Sequence, residues 1–491
     1  MTATIGAQAA GRPRTADQDP PDHRGPQVAG GPPVPDDARR TRDFGLLWAG
    51  QTLSKVGGAV TSVAVALVAV DALQASSAEM GVLRAASWLP WLAIGLVAGA
   101  WTDRMRRMPV MLWSQLISFV LFLSLPLAAW AGTLTMGQLL VVTLVVGVAQ
   151  VFFSAAYSPY LPTLLPARDL PKANGRLATT EQIAMVSGPG LGGLIVQGLG
   201  AVTGLMAQSL GFLASVLCLR AIRTVEPPVT RPERRTRLRD DVRDGLTYVV
   251  RDPYLRVLAA CSAVDNLVLS GAQALLVIFL VREVGVGAVE VGLLIGADAL
   301  GGVLGAVVAA RIIRRYGTAR ALLGSAFVTA PFGLLIPLTT PGWGVALFVV
   351  GLLVPSIGIV VGNVVVSTFR QSYPPTHLRG RVFTSSRFVA YGVIPIGALL
   401  GGWLGEVVGL RAAMWALFAA VALSKLLRLI GPIKNARDLP AASADPDGPA
   451  GGGQERHTDG GAAPTSTAAG ATDRPSRPNP RPGSTAGTTR A

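Results

Sequence analysis

Between residues 44 and 430 the chain alternates long apolar runs with short connections rich in Arg, Gly and Pro. A run of about 20 apolar residues with few charges is long enough, as a helix, to cross a ~30 Å hydrocarbon core. Windows of about 19 residues place about twelve such runs, near 44–70, 80–101, 109–130, 137–159, 177–199, 202–222, 255–281, 290–312, 320–340, 343–369, 385–407 and 410–430. The pattern predicts an all-α membrane protein with no large domain outside the bilayer. Residues 1–43 are rich in Pro, Gly, Asp and Arg, residues 431–491 in Pro, Gly, Ala and Thr, and neither has a sustained apolar run. Such segments bury too little apolar surface to offset their ordering entropy, so both ends are predicted to be disordered tails.

The longest polar connection, 223–253, divides the runs six and six, into bundles over 44–222 and 254–430. The bundles resemble each other weakly. Glu79, Gly81 and Leu83 recur 211 residues later as Glu290, Gly292 and Leu294. Gly188, Gly192, Gly193 and Gly200 recur at an offset of 209 as Gly397, Gly401, Gly402 and Gly409. Tandem halves of this kind predict twelve transmembrane helices in two pseudo-symmetric bundles, with a binding site between them near mid-membrane.

Composition sharpens the picture. Half the residues are hydrophobic, yet only 14% are charged, against roughly 25% in soluble domains. The net charge of +15 lies in tails and alternate connections. Lys and Arg number six in 1–43, ten from Arg220 to Arg256, and four each from Arg311 to Arg320 and from Arg370 to Arg387. Arg104, Arg106, Arg107, Arg168, Lys172 and Arg176 belong to the same set, whereas the opposite set holds Arg84, Arg282 and Arg411. Positive charge resists translocation, so both termini and the 223–253 connection are expected in the cytoplasm of a cell-membrane protein. The basic charge then reports topology, and no nucleic-acid partner is expected. Cys218 and Cys261 fall in apolar runs without metal-ligand spacing and read as buried fillers.

Two motifs carry chemistry. Gly99, Asp103, Arg104 and Arg107 place an acid and arginines at the end of the second run, where charge-assisted hydrogen bonds to a neighbouring helix can form and release; a solvated helix end would look the same. In the fifth run Pro189 removes a backbone donor and bends the helix, and the small residues around it, Gly188, Gly192 and Gly193, permit close helix contact. The first group resembles the cytoplasmic signature of the major facilitator superfamily, with Arg106 in place of its second glycine. The second resembles that superfamily's antiporter signature. Residues 45–54 (GLLWAGQTLS), 146–166 (VGVAQVFFSAAYSPYLPTLLP), 274–283 (ALLVIFLVRE) and 379–402 (RGRVFTSSRFVAYGVIPIGALLGG) resemble its enterobactin-exporter-like branch, the transmembrane secretion effectors. The resemblance covers the core and neither tail. It implies a major facilitator fold, export rather than import, and an Asp103–Arg104 clasp between the halves when the transporter faces outward. Gly58 and Ser154 stand where that branch often has acids, so their coupling roles do not transfer.

Of the 28 acidic residues, only Asp265 and Asp298 fall deep inside predicted spans, where a carboxyl is costly and by default functional. Lys55 lies near the middle of the first run. Matching runs one and seven sets it opposite Asp265, and a facing pair would neutralise both charges. Asp298, left without a cation, then becomes the better proton carrier, unless it is a structural acid packed among glycines. The chain's lysines form no phosphate-cradling Gly-Lys-Ser/Thr loop, and its three histidines lie outside the runs. Neither ATP, a metal site, an enzyme activity nor a bound cofactor is expected; the driving force is a proton gradient.

Gln51, Gln150, Tyr157, Asn266, Gln273 and Asn363, with Trp88 and Trp91, are the candidate cavity residues. A largely apolar pocket with few fixed polar groups suits a lipophilic small molecule, such as a drug, siderophore or secondary metabolite. The reading is a monomeric exporter in the lipid bilayer working by proton antiport through alternating access. Import or facilitated passage of a small solute, or a scaffold acting through the tails, remain as rivals.

Overall fold

The structure, a computed structural model, describes residues 37–102, 104–224, 226, 238–375, 378–430, 432–434 and 436–440. The described residues fold almost entirely into helices. They are α1 (Asp37–Leu67), α2 (Ser77–Thr102), α3 (Arg107–Trp130), α4 (Met136–Leu164), α5 (Leu170–Leu199) and α6 (Ala201–Ala221), then, past a connecting helix α7 (Leu238–Arg251), α8 (Pro253–Phe279), α9 (Ala288–Tyr316), α10 (Thr318–Thr329), α11 (Val345–Ser372), α12 (Arg379–Gly392), α13 (Ile394–Val408) and α14 (Leu410–Ser424). Among the described residues ten segments are long and apolar enough to span a membrane by length and composition. Helices α2 and α5, which carry Arg84 and Glu181 within their length, complete the twelve.

Proline chemistry shapes several of these spans. Pro395 cannot donate to the Tyr391 carbonyl, so the eleventh span breaks at Val393 into α12 and α13. Between Pro331 and Pro337 the α10 span tightens into 3-10 geometry over Ala330–Leu338. The first helix of each half ends alike, widening into a π-helical turn at Val68–Ala72 and at Leu280–Val284. The sequence repeat is thus matched by a repeat in backbone irregularity.

Three differences from the sequence expectation have local causes. The 223–253 connection is not only loop, because α7 docks through Val249, 2% exposed, and through Gly245, where a Cβ would meet Arg381 O at 2.6 Å. Residues 37–43, expected in the tail, form the first turns of α1, and buried Asp43 accepts hydrogen bonds from Arg223 N (3.2 Å) and Thr224 N (2.9 Å). The other tail begins later than expected. Ile433 is fully buried in the C-terminal bundle, Asp438 accepts from Thr318 N at 2.7 Å, and Leu439 N donates to Thr318 Oγ1 at 2.8 Å. The remaining tail residues, 1–36 and 441–491, lie outside the described residues.

The connections α2–α3, α4–α5, α9–α10 and α11–α12 share the face at which α1 begins. They carry Arg104, Arg106 and Arg168, and Arg379 opens α12 on the same side, so this end is called the basic face. Packing differs sharply between the two faces. Far from the basic face a single apolar cluster joins both halves: Leu67, Leu83 and Phe122 from one pack with Leu276, Phe279 and Phe348 from the other. Near the basic face each half keeps its own cluster, around Phe44, Leu47 and Tyr160 in the first and around Leu255, Phe369 and Val382 in the second. The halves are therefore joined at the far face and part toward the basic face.

Candidate functional site

The parted halves enclose a cavity of about 2110 Å³. Small-molecule pockets typically measure ~300–1,000 Å³, so this one has room for a ligand together with water. It is capped by the shared apolar cluster and reaches as far toward the basic face as Asn174 and Val307.

Two helix crossings position the walls, and both use the glycines of the sequence repeats. At the α5–α9 crossing a Cβ on Gly193 would lie 2.5 Å from Ala288 O and 3.0 Å from Val289 Cα, while Gly292 of α9 packs against the Pro189 carbonyl and Gly193. At the α2–α13 crossing a Cβ on Gly402 would lie 2.7 Å from Ser77 O, and one on Gly81 2.6 Å from Ala398 O. Backbones this close tolerate no side chain between them. Gly188 and Gly192 serve contacts within the half instead, against Ala59 and Val60 of α1. The two repeats detected in the sequence thus meet each other in space, Gly193 on Gly292 and Gly402 on Gly81.

Of the expected cavity residues, Gln51, Gln150, Tyr157, Gln273, Lys55, Asp298 and Trp91 line the wall. Gly58 and Ser154 do so as well. Gln150 is committed to a polar network, donating to Gln115 Oε1 (3.2 Å) and Ser118 Oγ (3.1 Å), while Gln115 donates to Ser215 Oγ (3.0 Å). Gln51 Nε2 and Gln208 Oε1 are buried without partners among the described residues. Asn266 instead bonds its own helix, donating to Ser262 O at 2.9 Å. Asn363 is exposed one turn beyond Ile359 and does not line the cavity, and Trp88 packs on Tyr391 of the other half at 6.0 Å between centroids.

The expected pairing of Lys55 with Asp265 does not form. Lys55 Nζ sits 2.7 Å from Glu181 Oε1 on α5, each side chain about half exposed. Asp265 is held by Lys425 (2.6 Å), Arg428 (2.8 Å) and Ser424 (2.6 Å) of the last span and lies off the cavity wall. The reason is packing: α1 lies against α5, and α8 against α14, so each charge finds a partner within its own bundle. Asp298 does line the wall and accepts a short hydrogen bond from Ser356 Oγ on α11.

Arg84, counted among the connection charges in the sequence, sits inside α2, lines the cavity and donates through Nη2 to Gln273 Oε1 of the other half. Its signal was available, because an ion in the second turn of an apolar span is a functional candidate by default. Glu181 and Ser356 carried weaker signals. Of the motif at the end of α2, Asp103 lies outside the described residues; Gly99 faces open space and Arg104 is exposed. Arg107 does hold parts together: its backbone N–H donates to Glu226 Oε1 of the connection (2.8 Å) and its Nη1 to Pro159 O of α4 (2.9 Å).

Comparisons with known proteins agree with this architecture. The chain is 28% identical over 395 residues to the multidrug efflux pump Tap of Mycobacterium tuberculosis (strain ATCC 25618 / H37Rv), covering 78% of this chain and 91% of that one. Tap of Mycolicibacterium fortuitum is 26% identical over 377 residues, covering 74% and 90%. Among solved structures, a bacterial homologue of the iron transporter ferroportin in an inward-facing state superposes with a TM-score of 0.62 at 18% identity, over 79% of this chain and 98% of that one, a likeness of fold. Residues 38–448 match the sequence family described as transmembrane secretion effector. With a major facilitator fold built around one shared cavity, this chain is a multi-pass membrane transporter, not an enzyme, and belongs to the transmembrane secretion effector family.

Proposed function

We propose that the protein exports a lipophilic small molecule across the cell membrane by alternating access, as a monomer with both termini cytoplasmic, in exchange for protons. The observation that carries this reading is the cavity between the halves, sealed at the far face by the shared apolar cluster and widening toward the basic face. With the basic face cytoplasmic, as the positive charge of its connections argues, this is the arrangement that loads from the cytoplasm or from the inner leaflet. The multidrug efflux activity in the names of both Tap relatives supports the outward direction.

For the proton, Asp298 is the assigned carrier. It faces the cavity, and among the described residues no cation pairs with it; Asp265 is already neutralised by two cations. A carboxyl that alternates between water and a closed cavity can take a proton on one side and lose it on the other. Substrate and proton would then compete for the same cavity state, which gives exchange.

The test is dye efflux from cells lacking other pumps. Expression should lower accumulation of a lipophilic dye, and a protonophore should restore it. Raised accumulation on expression would instead mean import.

A further inference from the structure

We propose that Arg84 makes the cavity a receptor for lipophilic molecules that carry an anionic group, a carboxylate or ionised phenol held by the guanidinium beside Gln273. The inference rests on the cavity being the transport site and adds to it the class of ligand. Four charged side chains line the wall: Lys55, Arg84, Glu181 and Asp298. Lys55 and Glu181 neutralise each other at 2.7 Å. Asp298 has the Ser356 hydroxyl and can lose its charge by taking a proton. Arg84 has neither escape. A guanidinium does not deprotonate in proteins, its partner Gln273 is uncharged, and its Nε is buried without an acceptor among the described residues. The lasting field in the cavity is therefore positive and centred on Arg84.

The position also fits. Arg84 stands beside Met80 and Leu83 under the apolar cap, with Leu276 and Val277 across from it. An apolar body can fill that end while its acidic group replaces the Gln273 carbonyl on the Arg84 guanidinium. The repeat sharpens the assignment. At the offset of 211 residues, Arg84 corresponds to Ile295 and Ser87 to Asp298, all four lining the cavity. The equivalent helices of the two halves thus contribute opposite charges one turn apart, and the cavity can tell one end of a ligand from the other.

The experiment measures binding of a carboxylated lipophilic dye and of its neutral methyl ester to the purified full-length protein in detergent at neutral pH. The wild type should bind the acid at least about tenfold more tightly than the ester, as a charge-assisted pair implies. Arg84→Gln should bring the ratio close to one, and Arg84→Lys should keep part of it. A wild-type ratio at or below one, or an undiminished ratio in Arg84→Gln, overturns the proposal; should Arg84→Gln not fold, the wild-type and Arg84→Lys ratios decide. The acid preference without efflux of either dye would remove the transport reading and leave this one, and efflux of both without the preference would do the reverse.

Discussion

At the scale of single residues, the buried charges divide into those that hold the fold and those left for chemistry. Asp265 belongs to the first kind. Asp265→Asn leaves Lys425 and Arg428, 8% and 14% exposed, without their anion, and removing one member of a buried pair costs on the order of 3 kcal/mol. Its thermal unfolding in detergent should fall well below that of the wild type. Lys55→Met removes a half-exposed pair worth at most ~1 kcal/mol, so its unfolding temperature should stay close to the wild-type value; a fall as large as that of Asp265→Asn would contradict the pairing described. Asp298→Asn should fold and lose coupling: an imposed pH gradient should no longer drive dye out of loaded vesicles. Undiminished pH-driven efflux in that variant would remove Asp298 as the proton carrier. These roles were only partly legible in the sequence. That Asp265 and Asp298 lie deep followed from hydropathy, but Glu181 and Lys425 are 126 and 160 residues from the partners they neutralise, and no periodicity reports contacts so distant.

At the scale of elements, the helices were legible because hydrophobic length is a strong signal in a membrane. Their edges were less so, because what fixes an edge is a cap or a dock contributed from elsewhere. Glu226, just past the end of α6, caps α3, and Asp438 caps α10 from beyond the last span. Ending the chain after residue 440 should therefore leave transport and stability intact, whereas ending it after residue 430 removes Ile433, Asp438 and Leu439 and should lower the unfolding temperature. Equal stability of the two truncations would show that the docked segment contributes nothing. The glycine repeat marks the tandem halves in the sequence; that Gly193 seats on Gly292 and Gly402 on Gly81 across the halves needed the fold. Gly402→Val places branched carbons against Ser77 O and Gly81 and should weaken closure at the far face, so that Met80→Cys in the same background becomes more reactive to an impermeant maleimide added outside.

At the scale of the whole molecule, the uneven distribution of apolar packing sets the direction from which the cavity is reached. Ala178→Cys, on the wall toward the basic face, should react with an impermeant maleimide in everted vesicles. Met80→Cys, beneath the apolar cap, should be protected from reagent applied to intact cells. The opposite pattern would reverse the orientation. In the alternating access proposed, rocking opens the far face and closes the basic one, and at the Gly193–Gly292 and Gly402–Gly81 crossings the halves touch through main chain. A joint of bare backbone has no rotamers to reset when its two surfaces slide, so movement there carries little side-chain entropy cost. Friction in the cycle then falls on the apolar cap that must be pulled apart, and turnover should respond more to the bulk of Phe122, Leu276 and Phe279 than to the Lys55–Glu181 pair on the cavity wall.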